Sequence, residues 1–168
     1  MRTLQENRLT VKIIALVSTL LVSVGLDQLT KWLAVTYLKP IRSYPLWENV
    51  FHFTYVQNRG AAFGMLADHR FVFLILSTIG ILAILFYLFW DRELDLFSFI
   101  SLACVAGGGI GNMIDRVAYG YVVDFLDFTL IDFAVFNVAD SFVCCGVVLF
   151  VIAFVRSLIK EQKSKKEE

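Results

Sequence analysis

Four long apolar segments, separated by polar or aromatic stretches, dominate the pattern of the sequence. Their approximate bounds are 13–35, 71–90, 96–114 and 133–155. A helix of about 20 residues is about 30 Å long, which matches the hydrocarbon core of a bilayer. The pattern therefore predicts an all-α membrane protein with four transmembrane helices, in a single integral membrane domain covering residues 1–168.

The first apolar segment also has features of a cleavable signal peptide. A basic stretch precedes it, and Ser23 and Gly25 resemble the small residues of a cleavage site. Because the three later segments already anchor the chain in a membrane, we interpret the first one as a retained span.

Residues 39–70 interrupt the helical pattern. Both prolines of the chain fall here and disfavour a continuing helix. Phe51, Phe53 and Tyr55 alternate with smaller or polar residues, as in a strand. Aromatic side chains are also frequent at the membrane–water interface. We therefore predict a small extracytoplasmic β-cradle at about 39–70, lying on the membrane surface.

Composition supports the membrane assignment and narrows the chemistry. Hydrophobic residues make up 58% of the chain, compared with about 45–50% of a typical soluble domain. The formal net charge is zero, so no overall field favours nucleic acid as a partner. The three cysteines lie in apolar segments without a neighbouring histidine, and the two histidines are isolated from each other. We therefore predict neither a metal site nor another cofactor.

The distribution of basic residues predicts the orientation in the membrane. The two terminal segments carry eight of the fifteen lysines and arginines, and basic residues accumulate on the cytoplasmic side. Five basic residues between positions 31 and 70 run against this bias. We predict that both termini are cytoplasmic, which puts the loops at 39–70 and 115–132 on the outer face.

Asp124 and Asp140 are the acidic residues most suggestive of chemistry. Asp140 is the eighth residue of the fourth apolar segment, so the pattern puts it about 10 Å below the outer end of that helix. A carboxylate inside a membrane costs roughly 2.5–3.5 kcal/mol, which favours a functional role over a buried structural hydrogen bond. Asp124 lies just before that segment, where an ordinary acidic loop is the alternative. If the two meet, one carboxylate can activate a water while the other keeps its proton.

An asparagine precedes an aspartate by three residues in two places. Asn112 precedes Asp115 and Arg116 at the end of the third segment, and Asn137 precedes Asp140 in the fourth. Residues three apart share a helix face, so each pair can serve one site. The alternative for the first pair is a helix-end cap and ion pair that hold the following loop.

Five short motifs of the sequence resemble those of bacterial lipoprotein signal peptidase, also called signal peptidase II. They occur in order at Asp27–Lys31, Asn58–Phe63, Gly107–Arg116, Val123–Phe125 and Phe136–Ser141. The resemblance implies a four-helix aspartyl peptidase of the bacterial cytoplasmic membrane, with a surface β-cradle. Its expected partners are membrane lipid and prolipoprotein substrates that carry diacylglycerol on a cysteine. The substrates would be cut on the amino side of that lipidated cysteine.

The same resemblance implies roles for individual residues. Asp124 and Asp140 would be the catalytic pair. Globomycin-like cyclic peptides would be inhibitors. The residues that would line the substrate site are Asp27, Lys31, Asn58, Asn112, Arg116 and Asn137.

Two functions of other classes remain as alternatives. A proton-coupled transporter could use Asp140 as a relay, but it would be expected to show an inverted repeat with paired broken helices, which the flanking segments lack. A structural membrane scaffold would have no need for a carboxylate in a span.

The predicted orientation can be tested by labelling single cysteines from outside the cell. In a background with all three native cysteines replaced by alanine, Ser43→Cys should react with an impermeant thiol reagent and Lys165→Cys should not. Labelling at position 165 but not at position 43 would contradict the charge-based orientation.

Overall fold

The four membrane-length helices form the body of the molecule. The computed structural model describes residues 2–60, 70–91 and 93–167. Within that part, four helices are long and apolar enough to cross a membrane, which confirms the predicted fold class. Their bounds are α1 Arg2–Leu33, α2 Arg70–Trp90, α3 Leu96–Ala118 and α4 Val138–Glu167, and a π-helical turn at Ala34–Leu38 extends α1.

The first and last helices differ from the bounds that the apolar pattern suggested. Both extend into the polar terminal segments, because polar residues that favour a helix can continue it beyond the membrane. The fourth begins at Val138, not at 133, so Asp140 is its third residue and lies in its first turn. The estimate of about 10 Å of depth within that helix was therefore wrong. Residues 133–137 are not helical, and Phe136 exchanges two backbone hydrogen bonds with Leu126.

A three-stranded antiparallel sheet caps one end of the bundle. Its strands are β1 Ser43–Trp47, β2 Phe51–Asn58 and β3 Val122–Asp127, in the order β1-β2-β3. The first two lie within the predicted cradle, of which residues 61–69 fall outside the described part of the chain. The third strand comes from the loop between α3 and α4, so both loops on this side build one sheet.

The sheet packs against the end of the first helix. Tyr55 from β2 and Val123 and Phe125 from β3 form a buried cluster with Ala34. Because side chains alternate along a strand, Val123 and Phe125 turn to this cluster while Asp124 turns to the opposite face. The register pairs Asp124 with Val56. Packing of the apolar face thus determines the direction in which Asp124 points.

α3 is the central helix, and its small residues allow close packing. Half of its most apolar stretch is buried within the protein, compared with about a tenth or less for the other three helices. A Cβ atom at Gly107 would collide with Ser23 of α1, and one at Gly108 with the backbone of Ala139 in α4. These glycines therefore permit close approach of the helices, as expected for helix packing in membranes.

Candidate active site

The structure brings Asp124 and Asp140 to one site through two asparagines. Asn137 donates from Nδ2 to Asp124 Oδ1 at 2.7 Å, and Asn112 donates from Nδ2 to Asp140 Oδ1 at 2.7 Å. The two amides are themselves joined, because Asn137 Nδ2 also donates to Asn112 Oδ1 at 3.0 Å. The carboxylates therefore belong to one hydrogen-bonded network that crosses three elements.

Local sequence determines the position of Asp140. The backbone N–H of Asp140 donates to Asn137 Oδ1 at 2.9 Å, and the N–H of Asn137 donates to Asp140 Oδ2 at 3.1 Å. This reciprocal pair is a capping box, with aspartate in the position that glutamate or glutamine often occupies. It explains why α4 begins where it does. It also puts the carboxylate in the first turn, where the positive end of the helix dipole favours negative charge.

Asp124 is almost fully enclosed, with 1% of its surface exposed. Asn58 Nδ2 donates to its Oδ2 at 2.8 Å, which adds a contact from β2 to the contact from Asn137. Burial raises the pKa of Asp124 to about 7 because ionisation is costly away from water, and the negative charge of Asp140 acts in the same direction. The hydrogen bonds from Asn58 and Asn137 oppose the rise in pKa. Asp124 is therefore a carboxyl group that can hold a proton near neutral pH.

A buried ion cluster lies next to the asparagines. Lys31 Nζ is 2.9 Å from Asp27 Oδ2 and 3.2 Å from Asp115 Oδ2, and it donates to Asn112 Oδ1 at 2.9 Å. The Lys31 side chain is 4% exposed and that of Asp27 is not exposed at all. Lys31 and Asp27 thus contact the network from inside the protein, with their side chains enclosed.

Arg116 brings a second positive charge close to the pair. Its guanidinium interacts attractively with the charges of Asp140 and Asp124. It lies over the Phe73 ring at 5.0 Å from the centroid, and it donates to the carbonyl oxygen of Gly60 at 3.4 Å. The residue is only partly buried. Unlike Lys31, Arg116 can therefore approach a polar group of a bound molecule.

Comparison with known proteins identifies the family. The family model described as signal peptidase (SPase) II matches residues 19–156. This chain belongs to the signal peptidase II family. A lipoprotein signal peptidase of Caldanaerobacter subterraneus subsp. tengcongensis is 48% identical over 126 residues, covering 75% of this chain and 86% of the relative. One from Halothermothrix orenii is 42% identical over 132 residues, covering 79% and 89%.

Solved structures show the same fold. A bacterial membrane enzyme superposes with a TM-score of 0.77 at 33% sequence identity, covering 95% of this chain and 93% of that chain. With its four membrane-length helices, this signal peptidase II family member is therefore a multi-pass membrane protein. Because signal peptidase II is a protease, membership favours a hydrolytic enzyme over the transporter and scaffold alternatives.

The resemblance found in the sequence is confirmed at the level of the family, and the structure shows how its motifs meet. Each motif contributes at least one side chain to the network, although positions 61–63 of the second motif lie outside the described residues. Residues of the network that the sequence reading did not assign to the site are Gln28, which donates to Asp115 Oδ1 at 3.0 Å, and Asp115 itself. Asp115 accepts from the N–H of Val123 at 3.0 Å. Asp115 thus holds the strand that follows α3, in agreement with the loop-holding alternative for this residue, but its ion pair is with Lys31 of α1.

The buried carboxyl of Asp124 should make folding stability depend on pH. The folded protein, with a pKa of about 7 at Asp124, binds a proton more tightly than the unfolded chain, where the pKa is near 3.8. The resulting stabilisation is present below the unfolded pKa and is lost as pH rises through 7. Since one pKa unit is worth about 1.4 kcal/mol, the loss amounts to a few kcal/mol.

Asp124→Asn should remove this dependence, because the amide stays neutral. Thermal unfolding in detergent between pH 5 and pH 8.5 measures it. We expect the variant to match or exceed the wild type in Tm at pH 8.5 and to lose that advantage at pH 5. Parallel pH profiles for the two proteins would show that Asp124 does not carry a raised pKa.

Proposed function

We propose that this chain is an aspartic endopeptidase that removes signal peptides from prolipoproteins. The observation that carries the proposal is the convergence of Asp124 and Asp140 on one hydrogen-bonded site, in a chain whose relatives are named lipoprotein signal peptidases. No serine or cysteine in the described part of the chain lies beside a histidine in the manner of a nucleophile and its base. A water activated by a carboxylate is therefore the nucleophile that the site favours.

The environments of the two carboxyl groups suggest their roles. Asp124 is the more enclosed of the two and holds its proton near neutral pH, so it donates a hydrogen bond to the scissile carbonyl. Asp140 is partly exposed and accepts two N–H bonds, so it serves as the ionised base that deprotonates water. Hydroxide adds to the carbonyl carbon, the C–N bond breaks, and the amine leaves with a proton from the pair.

The remaining predicted site residues divide into two groups. Asn58, Asn112 and Asn137 orient the carboxylates through their amides. Arg116 is the group available to the peptide or to a lipid headgroup, because it is partly exposed and beside the pair. Lys31 and Asp27 were expected to line the substrate site. Their enclosure leads us to propose instead that they contact no substrate.

The setting of the site suggests how a lipidated substrate reaches it. Asp140 lies in the first turn of α4, beneath the sheet, so the site is at the end of the spanning helices. Large apolar side chains around the sheet are exposed and suit contact with acyl chains. Examples are Tyr37 at 64%, Ile41 at 56% and Trp47 at 69%. We propose cleavage on the amino side of a diacylglyceryl-modified cysteine, at the outer face of the bacterial cytoplasmic membrane with both termini cytoplasmic.

Cyclic lipopeptides of the globomycin type are proposed inhibitors of the same site. Such a molecule offers peptide carbonyls to Asp124 and Arg116 while its acyl chain stays in the membrane. It would therefore compete with the lipidated substrate.

The two-aspartate mechanism predicts that each carboxylate is required. Asp124→Asn and Asp140→Asn should each lower kcat by at least about a hundredfold, because an amide can neither take a proton from water nor share one. The measurement is cleavage of a lipidated prolipoprotein in detergent micelles, with folding checked by thermal unfolding. Asp132→Asn is the matched control, since Asp132 is exposed and should be close to neutral. Normal cleavage by either site variant would remove that aspartate from the mechanism.

Recognition of lipid predicts a large difference between two forms of one peptide. Each buried CH₂ contributes about 0.8 kcal/mol to anchoring, so the diacylglyceryl form is concentrated at the depth of the site. We expect kcat/KM for the lipidated peptide to exceed that of the unlipidated peptide by at least about a hundredfold in the same micelles. Equal values would indicate a general intramembrane protease that does not read the lipid.

A further inference from the structure

The residue directly before each aspartate of the proposed pair donates its backbone N–H to another buried carboxylate. The N–H of Val123, directly before Asp124, donates to Asp115 Oδ2 at 3.0 Å. The N–H of Ala139, directly before Asp140, donates to Asp27 Oδ1 at 3.0 Å. The same contact is thus made twice, once to the strand and once to the helix that carry the pair.

Lys31 joins these two supporting carboxylates. Its ammonium lies 2.9 Å from Asp27 Oδ2 and 3.2 Å from Asp115 Oδ2. A third contact, to Asn112 Oδ1 at 2.9 Å, brings the number of acceptors to three. An ammonium has three N–H donors and no acceptor, so Lys31 has none left for a substrate.

The same ammonium determines how the asparagine amides are turned. Because Lys31 can only donate, Asn112 must present its oxygen to it, and its Nδ2 is then free to donate to Asp140. The oxygen of Asn112 also accepts from Asn137 Nδ2, which leaves the oxygen of Asn137 to accept from the N–H of Asp140. One positive charge thereby sets the orientation of both amides.

Gly111 provides the space that the Asp27 carboxylate needs between the packed helices. A Cβ atom at Gly111 would lie 2.5 Å from Asp27 Oδ2 and 3.3 Å from Ala139 Cβ. The Asp27 carboxylate therefore occupies the space that a side chain at position 111 would take.

We infer that Lys31 is a positioning residue that sets the relative placement of Asp124 and Asp140. Through Asp115 and Asp27 it holds the backbone next to the pair. Through Asn112 and Asn137 it orients the carboxyl groups themselves. The inference deepens the proposed function and rests on it. Lys31 touches neither substrate nor water in the reaction. Its removal should therefore slow the chemical step while leaving substrate binding intact.

The test separates kcat from KM for one lipidated peptide in detergent micelles. Lys31→Met should lower kcat by about ten- to a hundredfold, since small misplacements of catalytic groups have effects of this size, with KM within about twofold of the wild type. Lys39→Met is the matched control, because Lys39 is an exposed lysine just beyond the same helix, and it should change neither constant. A raised KM with unchanged kcat would make Lys31 a substrate-binding residue and would overturn the inference.

A second variant separates positioning from simple charge balance and guards against failure to fold. Lys31→Met leaves Asp27 and Asp115 without a cation, whereas Lys31→Met combined with Asp27→Asn restores the net charge of the cluster. We expect the double variant to recover most of the Tm lost by the single variant and to keep the low kcat, because nothing forces the orientation of Asn112. Wild-type kcat in a folded double variant would overturn the inference.

Failure of the inference is distinguishable from failure of the proposed function. If the wild type does not cleave the lipidated peptide, the proposed function falls and the inference falls with it. If the wild type cleaves and Lys31→Met has the same kcat, the inference alone is overturned.

Discussion

A lysine ammonium enclosed between two carboxylates is the interaction on which the arrangement of the site depends. Moving a charged group from water into the protein interior costs several kcal/mol. Removing one member of a buried ion pair costs about 3–5 kcal/mol, because the other charge is then left uncompensated. Lys31, Asp27 and Asp115 are therefore stable inside this protein only when they are together. Lys31 and Asp27 are four residues apart on α1 and Asp115 is on α3, so the cluster locks the rotation of one helix against the other.

Close packing of the helices makes that cluster possible. Helices in a membrane gain little from the hydrophobic effect between them, and they associate where small residues let backbones approach. Gly107 meets Ser23 of α1, and Gly111 provides the space for the Asp27 carboxylate. The same glycines that hold the bundle together therefore bring the polar groups of α1, α3 and α4 within hydrogen-bonding distance.

The sheet completes the environment of the carboxyl pair. Its third strand carries Asp124 over the end of the bundle, where Asn58 from β2 and Asn137 beside α4 contact it from two directions. Enclosure by these elements removes water from Asp124 and raises its pKa, whereas Asp140 stays partly exposed at the start of a helix. Two chemically identical side chains thus acquire different properties from their surroundings, which is the condition for acid–base chemistry by a carboxylate pair.

The sequence by itself determined the features that depend on local pattern and on composition. Long apolar segments predicted four membrane helices, alternation at Phe51, Phe53 and Tyr55 predicted a strand, and ordered motifs indicated the family. Features that require distant parts of the chain to meet were decided by the tertiary structure. Asp124 lies on a strand that pairs with β2. Asp115 and Asp27 accept hydrogen bonds from backbone amides of other elements, and Lys31 is enclosed. The start of α4 was misjudged because apolar residues 133–136 extend the membrane-like pattern ahead of the helix. The capping box of Asn137 and Asp140 and the pairing of Phe136 with Leu126 determine the actual start. Hydrophobicity reports which residues avoid water, but hydrogen bonds determine where a helix begins, and contacts between distant residues determine which carboxylates meet.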